Sequence, residues 1–298
     1  MTPLSTYTAA RFADCYSAPT VFDTVGFAEL NSARAAEVVY LGDGRLGAIL
    51  GRKDDGRWHA PFSAPYAMVS PCAGEHPCAD DYCRFAERLA RFADDGLSLT
   101  PPPAFYLPAD VGYWLAALAE MGCTRVDDIN FHYDLSKYGA YAEHLEPAAR
   151  RNTRRALSAG FSLVTDFQPG EAYDIIAAHH AALGYRMAMS RDDVLRTAPL
   201  VNADFFGVIL DGRPVAAAIY YTTAPGIAQL INWGDSLDIR HLRTVNFMAH
   251  AIFGHYRGRG YRFVDLGPAS VSGVPNAGLV NFKRGLGAEA TPRANLTL

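Results

Sequence analysis

Each half of this 298-residue chain carries a strong signal for a β-hairpin, and this repeat most constrains the fold. In the first half, residues 38–50 hold two apolar runs around the turn GDGR. In the second half, residues 205–222 hold two apolar runs around the turn DGRP. Glycine beside aspartate in a short turn between apolar runs is typical of antiparallel strand pairs. Each half should therefore contain antiparallel sheet, which a bundle of helices does not.

Amphipathic helices separate the strands. Apolar residues recur at helical spacing in residues 82–92 and again in residues 111–118. The second half repeats the theme, with helices expected near 148–159, 173–180 and 245–256 and with strands at 161–166, 227–233 and 261–266. The pattern predicts a mixed α/β (α+β) fold in which each half is a mostly antiparallel sheet flanked by helices. A polar stretch at 136–146 follows the strand 129–133, so we expect domains at 1–140 and 141–298.

Composition narrows the class of protein. Hydrophobic residues make up 50% of the chain and charged residues 19%, which favours a packed core over disorder. The net charge of -4 argues against a generally basic nucleic-acid-binding surface and so against DNA as a partner, although a local basic groove remains compatible with it. Residues 1–20 lack the apolar run of a secretory signal, and we expect a cytoplasmic protein without a membrane span.

The most informative motif lies near the carboxyl end. A strand ends in the sequence DLGP at 265–268, and a short amphipathic helix then presents Phe282 and Lys283. Only three of the 27 Lys and Arg residues are lysines. In a chain so rich in arginine, a lysine indicates a need for a compact ammonium rather than a planar guanidinium.

The C-terminal half resembles that of FemAB-like acyltransferases, which are tandem proteins of the GNAT fold. The resemblance rests on the order hairpin, strand, helix, strand with Asp-Leu-Gly, followed by Asn-x-Gly-Leu-x-x-Phe-Lys-x-x-x-Gly-Ala at 276–288. The segments PFSAPY at 61–66 and AARRNTRRA at 148–156 agree with it. It implies two GNAT-like domains and transfer of an acyl or aminoacyl group to an amine.

The resemblance implies a catalytic role for Lys283, and the positions of Phe282 and Asp265 suggest roles beside it. Lys283 would face the reacting carbonyl, where a fixed cation aimed at the oxyanion can contribute roughly 2.7–4 kcal/mol. Phe282 has core spacing and would position Lys283 while lining the substrate site. Asp265, at the end of a strand, could orient the attacking amine or take its proton. The alternative for Asp265 is a turn residue bonded to Gly267 or Ser270.

Two further polar or aromatic residues are candidates for substrate binding. Asn276 either binds ligand or makes a turn before Gly278. Trp233, at the end of a predicted strand, either lines the site or packs in the core.

Arginines supply the candidate anion site. Arg240 and Arg243 lie where CoA-using GNAT enzymes carry a glycine-containing pyrophosphate loop, but the segment 238–244 has no glycine. This departure favours aminoacyl-tRNA over acyl-CoA as donor. Arg150 and Arg154, with their neighbours at 151 and 155, form a basic helix face that could contact phosphates or remain solvated.

No tightly bound cofactor is expected. The histidines and the cysteine run 72–83 lack the usual spacing of metal ligands, so no metal site is predicted. The sequence thus predicts an N-acyltransferase that uses aminoacyl-tRNA or acyl-CoA as co-substrate and a small-molecule amine or cell-wall precursor as acceptor. Two alternatives stay open: an acetyl-CoA-dependent small-molecule N-acetyltransferase, and a non-catalytic binding protein of the same fold.

Overall fold

The computed structural model describes residues 3–298; residues 1 and 2, which the predicted first domain includes, lie outside the described residues. Fifteen strands are found in this range. In chain order they are β1 Ser5–Tyr7, β2 Glu37–Gly42, β3 Leu46–Arg52, β4 Trp58–Ala60, β5 Ser70–Pro71, β6 Leu97–Leu99, β7 Thr124–Asp134, β8 Ser162–Val164, β9 Ala203–Leu210, β10 Arg213–Ala224, β11 Ile227–Asp235, β12 Phe263–Pro268, β13 Ser270–Val271, β14 Val274–Pro275 and β15 Glu289–Thr297.

Nine α-helices alternate with these strands in residues 3–298. They are α1 Ala9–Cys15, α2 Val25–Leu30, α3 Ala79–Phe92, α4 Pro108–Glu120, α5 Pro147–Leu157, α6 Pro169–Ala182, α7 Arg191–Thr197, α8 Thr244–Gly258 and α9 Ala277–Gly285. Among the short 3-10 helices, Leu135–Glu143 precedes α5 and Leu237–Leu242 precedes α8.

The chain forms two compact units. Unit 1 comprises the chain up to Asn130 together with Ser270–Pro275 and Thr291–Leu298, and unit 2 comprises Phe131–Ala269 and Asn276–Ala290. The predicted domains 1–140 and 141–298 follow the repeat in the sequence rather than compactness, and that boundary stays a prediction. Unit 1 includes two C-terminal segments, Ser270–Pro275 and Thr291–Leu298. No pattern in the sequence separates them from their neighbours in unit 2.

Unit 1 is built on a hairpin and a crossover. Strands β2 and β3 pair antiparallel around the predicted turn, and β3 pairs antiparallel with β4. Strands β4 and β6 are parallel, with α3 on the connection between them. Residues at the predicted helical spacing, such as Phe85, Leu89 and Trp114, are buried where α3 and α4 pack on this sheet.

Unit 2 repeats this plan. Strands β8, β9, β10 and β11 pair antiparallel in that order, and β11 then pairs parallel with β12 after a crossover through α8. The buried side chains of Phe206, Tyr220 and Tyr256 form its core, with ring centroids 5.5 to 5.8 Å apart. The predicted class, mixed α/β with mostly antiparallel sheet flanked by helices in each half, is confirmed.

One feature of unit 2 creates room for a site. The parallel pairing of β11 and β12 covers only three residue pairs and stops at Gln229 and Asp265. Beyond it, β11 continues to Asp235 and β12 to Pro268. Because the two strands no longer bond to each other there, an opening is left at their carboxyl ends. Groups from neighbouring helices line this opening.

Candidate active site

A cavity of about 510 Å³ lies in unit 2 at the end of β11. The end of α6, the start of α8 and α9 form its other walls. Four of the predicted site residues line it together: Trp233, Arg240, Arg243 and Phe282. The remaining lining residues are His179, His180, Tyr185, Gly234, Asp235, Thr244, Val245, Asn246 and Leu279.

One wall of the pocket is aromatic. The rings of Trp233 and Phe282 meet edge to face, with centroids 5.7 Å apart and planes at 76°. Trp233 lies on the part of β11 that pairs with β10 but no longer with β12, and Phe282 is presented by α9. Both side chains are half-buried, so they remain available to a ligand as well as to each other.

The opposite wall is basic. Arg243 has a left-handed backbone with a φ of 65° and begins α8 without a side-chain cap. The first residue of the helix, Thr244, is fully buried, and its hydroxyl has no hydrogen-bond partner in the structure. An uncapped helix start with arginines beside it favours an anion.

The sequence did not single out the most polar contact of the pocket. The ring nitrogen Nδ1 of His179 lies 2.7 Å from the backbone oxygen of Asp235 and 3.1 Å from its carboxylate. Burial raises the pKa of Asp235, and the nearby His179 and Arg240 partly offset this effect. The two residues are 56 positions apart, and no local pattern connects them.

Gly234 permits this contact. A Cβ at this position would lie 2.8 Å from the Cβ of His179 and 3.0 Å from the Cα of Ile176. Only a glycine therefore lets α6 approach β11 closely enough for His179 to reach Asp235.

Replacing Gly234 with alanine is expected to lower the free energy of unfolding by about 1–3 kcal/mol, because α6 must move away from β11. Urea denaturation measures the difference. Gly258→Ala is the control, since nothing lies within 4 Å of a Cβ there, and it should be neutral or stabilising by up to about 1 kcal/mol. A Gly234→Ala protein as stable as the wild type would show that α6 and β11 have room to spare.

Lys283 is buried, with 4% of its surface exposed. Its Nζ donates to the carbonyl oxygens of Leu266, Gly267 and Pro268 at 2.7, 2.9 and 2.8 Å. An ammonium has three donors, so these three bonds use all of them. A direct contact with an oxyanion therefore requires one carbonyl to be given up, and that role of Lys283 stays a prediction.

Asp265 is fully buried beneath the same strand end. Its carboxylate accepts from the backbone N–H of Gly267 at 2.8 Å and from the side-chain amide of Gln229 at 3.2 Å. Gly267 has a φ of 72°, which glycine adopts without strain. These are the contacts of the turn residue considered from the sequence, and a part in proton transfer is untested.

The other predicted residues lie outside the walls of this cavity. Asn276 accepts from the backbone N–H of Leu279 at 3.0 Å and so caps α9. Arg150 donates to the carbonyl oxygens of Glu143 and Leu145, and Arg154 is exposed on the same helix. Ligand binding by these three residues stays a prediction.

Residues 3–298 contain neither a cluster of metal ligands nor a membrane-spanning helix. Within residues 3–298, His, Cys, Asp and Glu side chains do not gather in any group of three that could hold a metal ion. Over the same range, every helix is too short or too polar to cross a membrane.

Comparisons with known proteins identify the fold. No protein-family model matches the chain, and no curated protein matches it. The solved structure of FemX matches with a TM-score of 0.69 over 99% of this chain and 97% of FemX, at 11% identity. L-PGS from Bacillus licheniformis matches with a TM-score of 0.60 over 88% of this chain and 84% of that one, at 11% identity.

A third structure agrees with these two. The DUF2156 domain of an Agrobacterium fabrum protein described as a lysylphosphatidylglycerol synthetase gives a TM-score of 0.61 at 16% identity, over 97% of this chain and 92% of that one. At such identities the likeness is one of fold. The chain has the fold of FemX, so the expected resemblance to FemAB-like proteins is confirmed at the level of the fold.

Proposed function

We propose that this protein is an N-acyltransferase that moves an acyl or aminoacyl group from an activated, anionic donor to an amine. The acceptor would be a small molecule or a cell-wall precursor. The observation that carries the proposal is the meeting of an aromatic wall and a basic helix start in one pocket. The aromatic wall would keep water from the activated ester, and the basic side would hold the phosphates of the donor.

The phosphate-binding side consists of Arg240, Arg243 and Thr244. Both arginines are exposed and can form paired hydrogen bonds to a phosphate. The buried hydroxyl of Thr244 is free to donate to the same group. Together with the start of α8, these groups would bind the part of the donor nearest to its reactive carbonyl.

Aminoacyl-tRNA is the donor that we favour. Arg151, Arg154 and Arg155 are exposed on α5, and none of the three pairs with a carboxylate within residues 3–298. The rings of Phe161, just after α5, and Phe247, in the first turn of α8, lie 5.4 Å apart. Helix α5, which carries the arginine face, therefore packs against α8, whose start forms the basic side of the pocket, and a polynucleotide with many phosphates could contact both.

Lys283 and Asp265 would support the reaction from the end of β12. Lys283 holds three carbonyl groups of that strand end, and Asp265 holds its turn. The oxyanion contact predicted for Lys283 remains part of the proposal, with the carbonyl of the donor replacing one of the three backbone carbonyls. A cytoplasmic location would follow, because both candidate donors are made there.

The proposal is tested by following label from two donors. The protein is incubated with aminoacyl-tRNA charged with radioactive amino acids, or with radioactive acetyl-CoA, together with a mixture of small amines. We expect label to move from aminoacyl-tRNA into a new amide. Label moving only from acetyl-CoA would establish the acetyltransferase alternative, and no transfer from either donor would favour a binding protein.

An arginine variant tests the role of the basic side. The double variant Arg240→Ala, Arg243→Ala should raise the KM for aminoacyl-tRNA at least about tenfold and weaken its dependence on salt, because fewer phosphate contacts form. Arg213→Ala is the matched control, since Arg213 is exposed in the same unit and lies outside the pocket. Equal KM values for the double variant and the control would rule out this phosphate site.

A further inference from the structure

The contact between His179 and Asp235 brings two ionisable groups together inside the pocket. The side chain of Asp235 is 4% exposed and that of His179 is 12% exposed. The guanidinium of Arg240 completes the group, with Nε 3.5 Å from the carboxylate and Nη2 3.4 Å from His179 Nε2. The backbone of β11 pairs with β10 without using these side chains.

The contacts assign the two nitrogens of the imidazole. An arginine can only donate, so His179 Nε2 accepts from Arg240 and carries no proton. The proton of the neutral ring then resides on Nδ1, which donates to the carbonyl or carboxylate oxygen of Asp235. The backbone N–H of Asp235 also lies 3.1 Å from Nδ1, and the shorter 2.7 Å contact with the carbonyl oxygen favours Nδ1 as the donor. The lone pair on Nε2, on the far side of the ring from Asp235, faces Arg240, and an amine can reach it when Arg240 turns to the phosphates of the donor.

We infer that His179 is the proton acceptor for the attacking amine and that Asp235 positions it. This inference rests on the proposed function. The amine nitrogen forms a bond to the donor carbonyl carbon, and the π electrons of the carbonyl move to its oxygen. His179 Nε2 takes one N–H proton from the amine. When the tetrahedral species collapses, the bond to the leaving oxygen or sulfur breaks, and His179 returns the proton to that atom.

The charges around His179 suit this cycle. The carboxylate of Asp235 balances the imidazolium that forms in mid-reaction, as an orienting carboxylate does beside a catalytic histidine. Other ionisable groups at the pocket are Arg240 and Arg243 before α8, and His180 and Tyr185 at the end of α6. Burial and the neighbouring His179 lower the pKa of His180. Helix α9 adds only Leu279 and Phe282, which are apolar.

The test measures transfer from labelled aminoacyl-tRNA and from labelled acetyl-CoA by the wild type and by His179→Gln, His179→Ala and Asp235→Asn. We expect kcat for the His179 variants to fall about 10²–10⁴-fold, with KM for the donor changed less than about twofold. Added imidazole should restore part of the activity of His179→Ala. His241→Gln is the control, because His241 is exposed in the same unit and lies outside the pocket.

The outcomes distinguish this inference from the proposed acyltransferase function on which it rests. Transfer by the wild type with unchanged kcat in both His179 variants overturns the inference and leaves the acyltransferase intact. Absence of transfer by the wild type from either donor overturns both. Nitrogen NMR of the imidazole adds a readout that is independent of turnover: the wild type should show the proton of His179 on Nδ1, and Asp235→Asn should change that signal. A proton found on Nε2 in the neutral wild type also overturns the inference.

Discussion

Replacing Lys283 with methionine is expected to lower the free energy of unfolding by about 3–5 kcal/mol, because three backbone carbonyl groups lose their hydrogen-bond donor. Methionine keeps the length of the aliphatic stem but has no donor. The carbonyl groups of Leu266, Gly267 and Pro268 would then lose their bonds to Nζ, and each buried, unsatisfied carbonyl costs about 1–3 kcal/mol. Urea denaturation followed by circular dichroism measures the loss.

Lys137→Met is the matched control. Lys137 is an exposed lysine in the same unit, paired with the exposed carboxylate of Glu289, and such a pair contributes about 0–1 kcal/mol. The comparison also separates two roles for Lys283. If Lys283→Met unfolds as easily as the wild type but loses transfer activity by about 10²–10³-fold, the lysine acts on the reacting carbonyl. Loss of stability with the activity of the folded fraction kept would make it a structural clamp.

Replacing Asp128 with alanine is expected to destabilise the protein by a similar amount, about 3–5 kcal/mol. Within unit 1, this buried carboxylate accepts hydrogen bonds from four groups. They are the hydroxyl of Ser270 at 2.7 Å, the backbone N–H of Gly273 at 3.1 Å, the guanidinium of Arg293 at 3.2 Å and the amide of Asn295 at 2.9 Å. Alanine would leave the charge of the half-buried Arg293 and three further donors without this acceptor.

Asp127→Ala provides the control for this prediction. Asp127 is the preceding residue, is exposed and pairs with Arg125, so its loss should cost less than about 1 kcal/mol.

Burial acts to raise the pKa of Asp128, but the hydrogen bonds from Ser270, Gly273, Asn295 and Arg293 lower it overall.

The lowered pKa adds a pH test. A carboxylate with a lowered pKa stabilises the folded state above its unfolded pKa of about 3.9, and that stabilisation is lost as pH falls toward the folded pKa. The gap in stability between wild type and Asp128→Ala should therefore be full at neutral pH and shrink below about pH 4. A gap of equal size at pH 3 and pH 7 would contradict this account.

Local sequence patterns predicted most of the regular elements. The GDGR turn lies between β2 and β3, and the helical spacing of residues 82–92 matches α3 at Ala79–Phe92. The strand and helix expected around Lys283 are β12 and α9. Each of these elements buries one face, so the spacing of its apolar residues along the sequence indicates whether it is a helix or a strand.

Elements fixed by distant contacts were not predicted. Strand β15 has no clear alternation of apolar residues, and it is set by pairing such as Leu296 with Leu99. Helices α1, α2 and α7 have only six or seven residues each, too few for a periodic pattern.

The site divides in the same way. Trp233, Arg240, Arg243 and Phe282 could be chosen from strand ends, charge and motif, and they line one pocket. The pairing of His179 with Asp235 depends on how closely α6 packs on β11. This tertiary distance cannot be inferred from the sequence.

Most of the last strand, β15, belongs to unit 1, and this limits where the protein can be cut into fragments. A fragment that stops at residue 140 keeps the pairing of β6 with β4 but lacks Leu296 and Thr297, which pair with the other side of β6, and so leaves an open strand edge at Leu97–Leu99. A fragment that starts at 141 carries Ser270–Pro275 and Thr291–Leu298 without the unit to which they belong. A cut at that junction separates unit 1 from its last strand, so each fragment expressed alone should be insoluble. Co-expression of both fragments supplies the missing strand in trans.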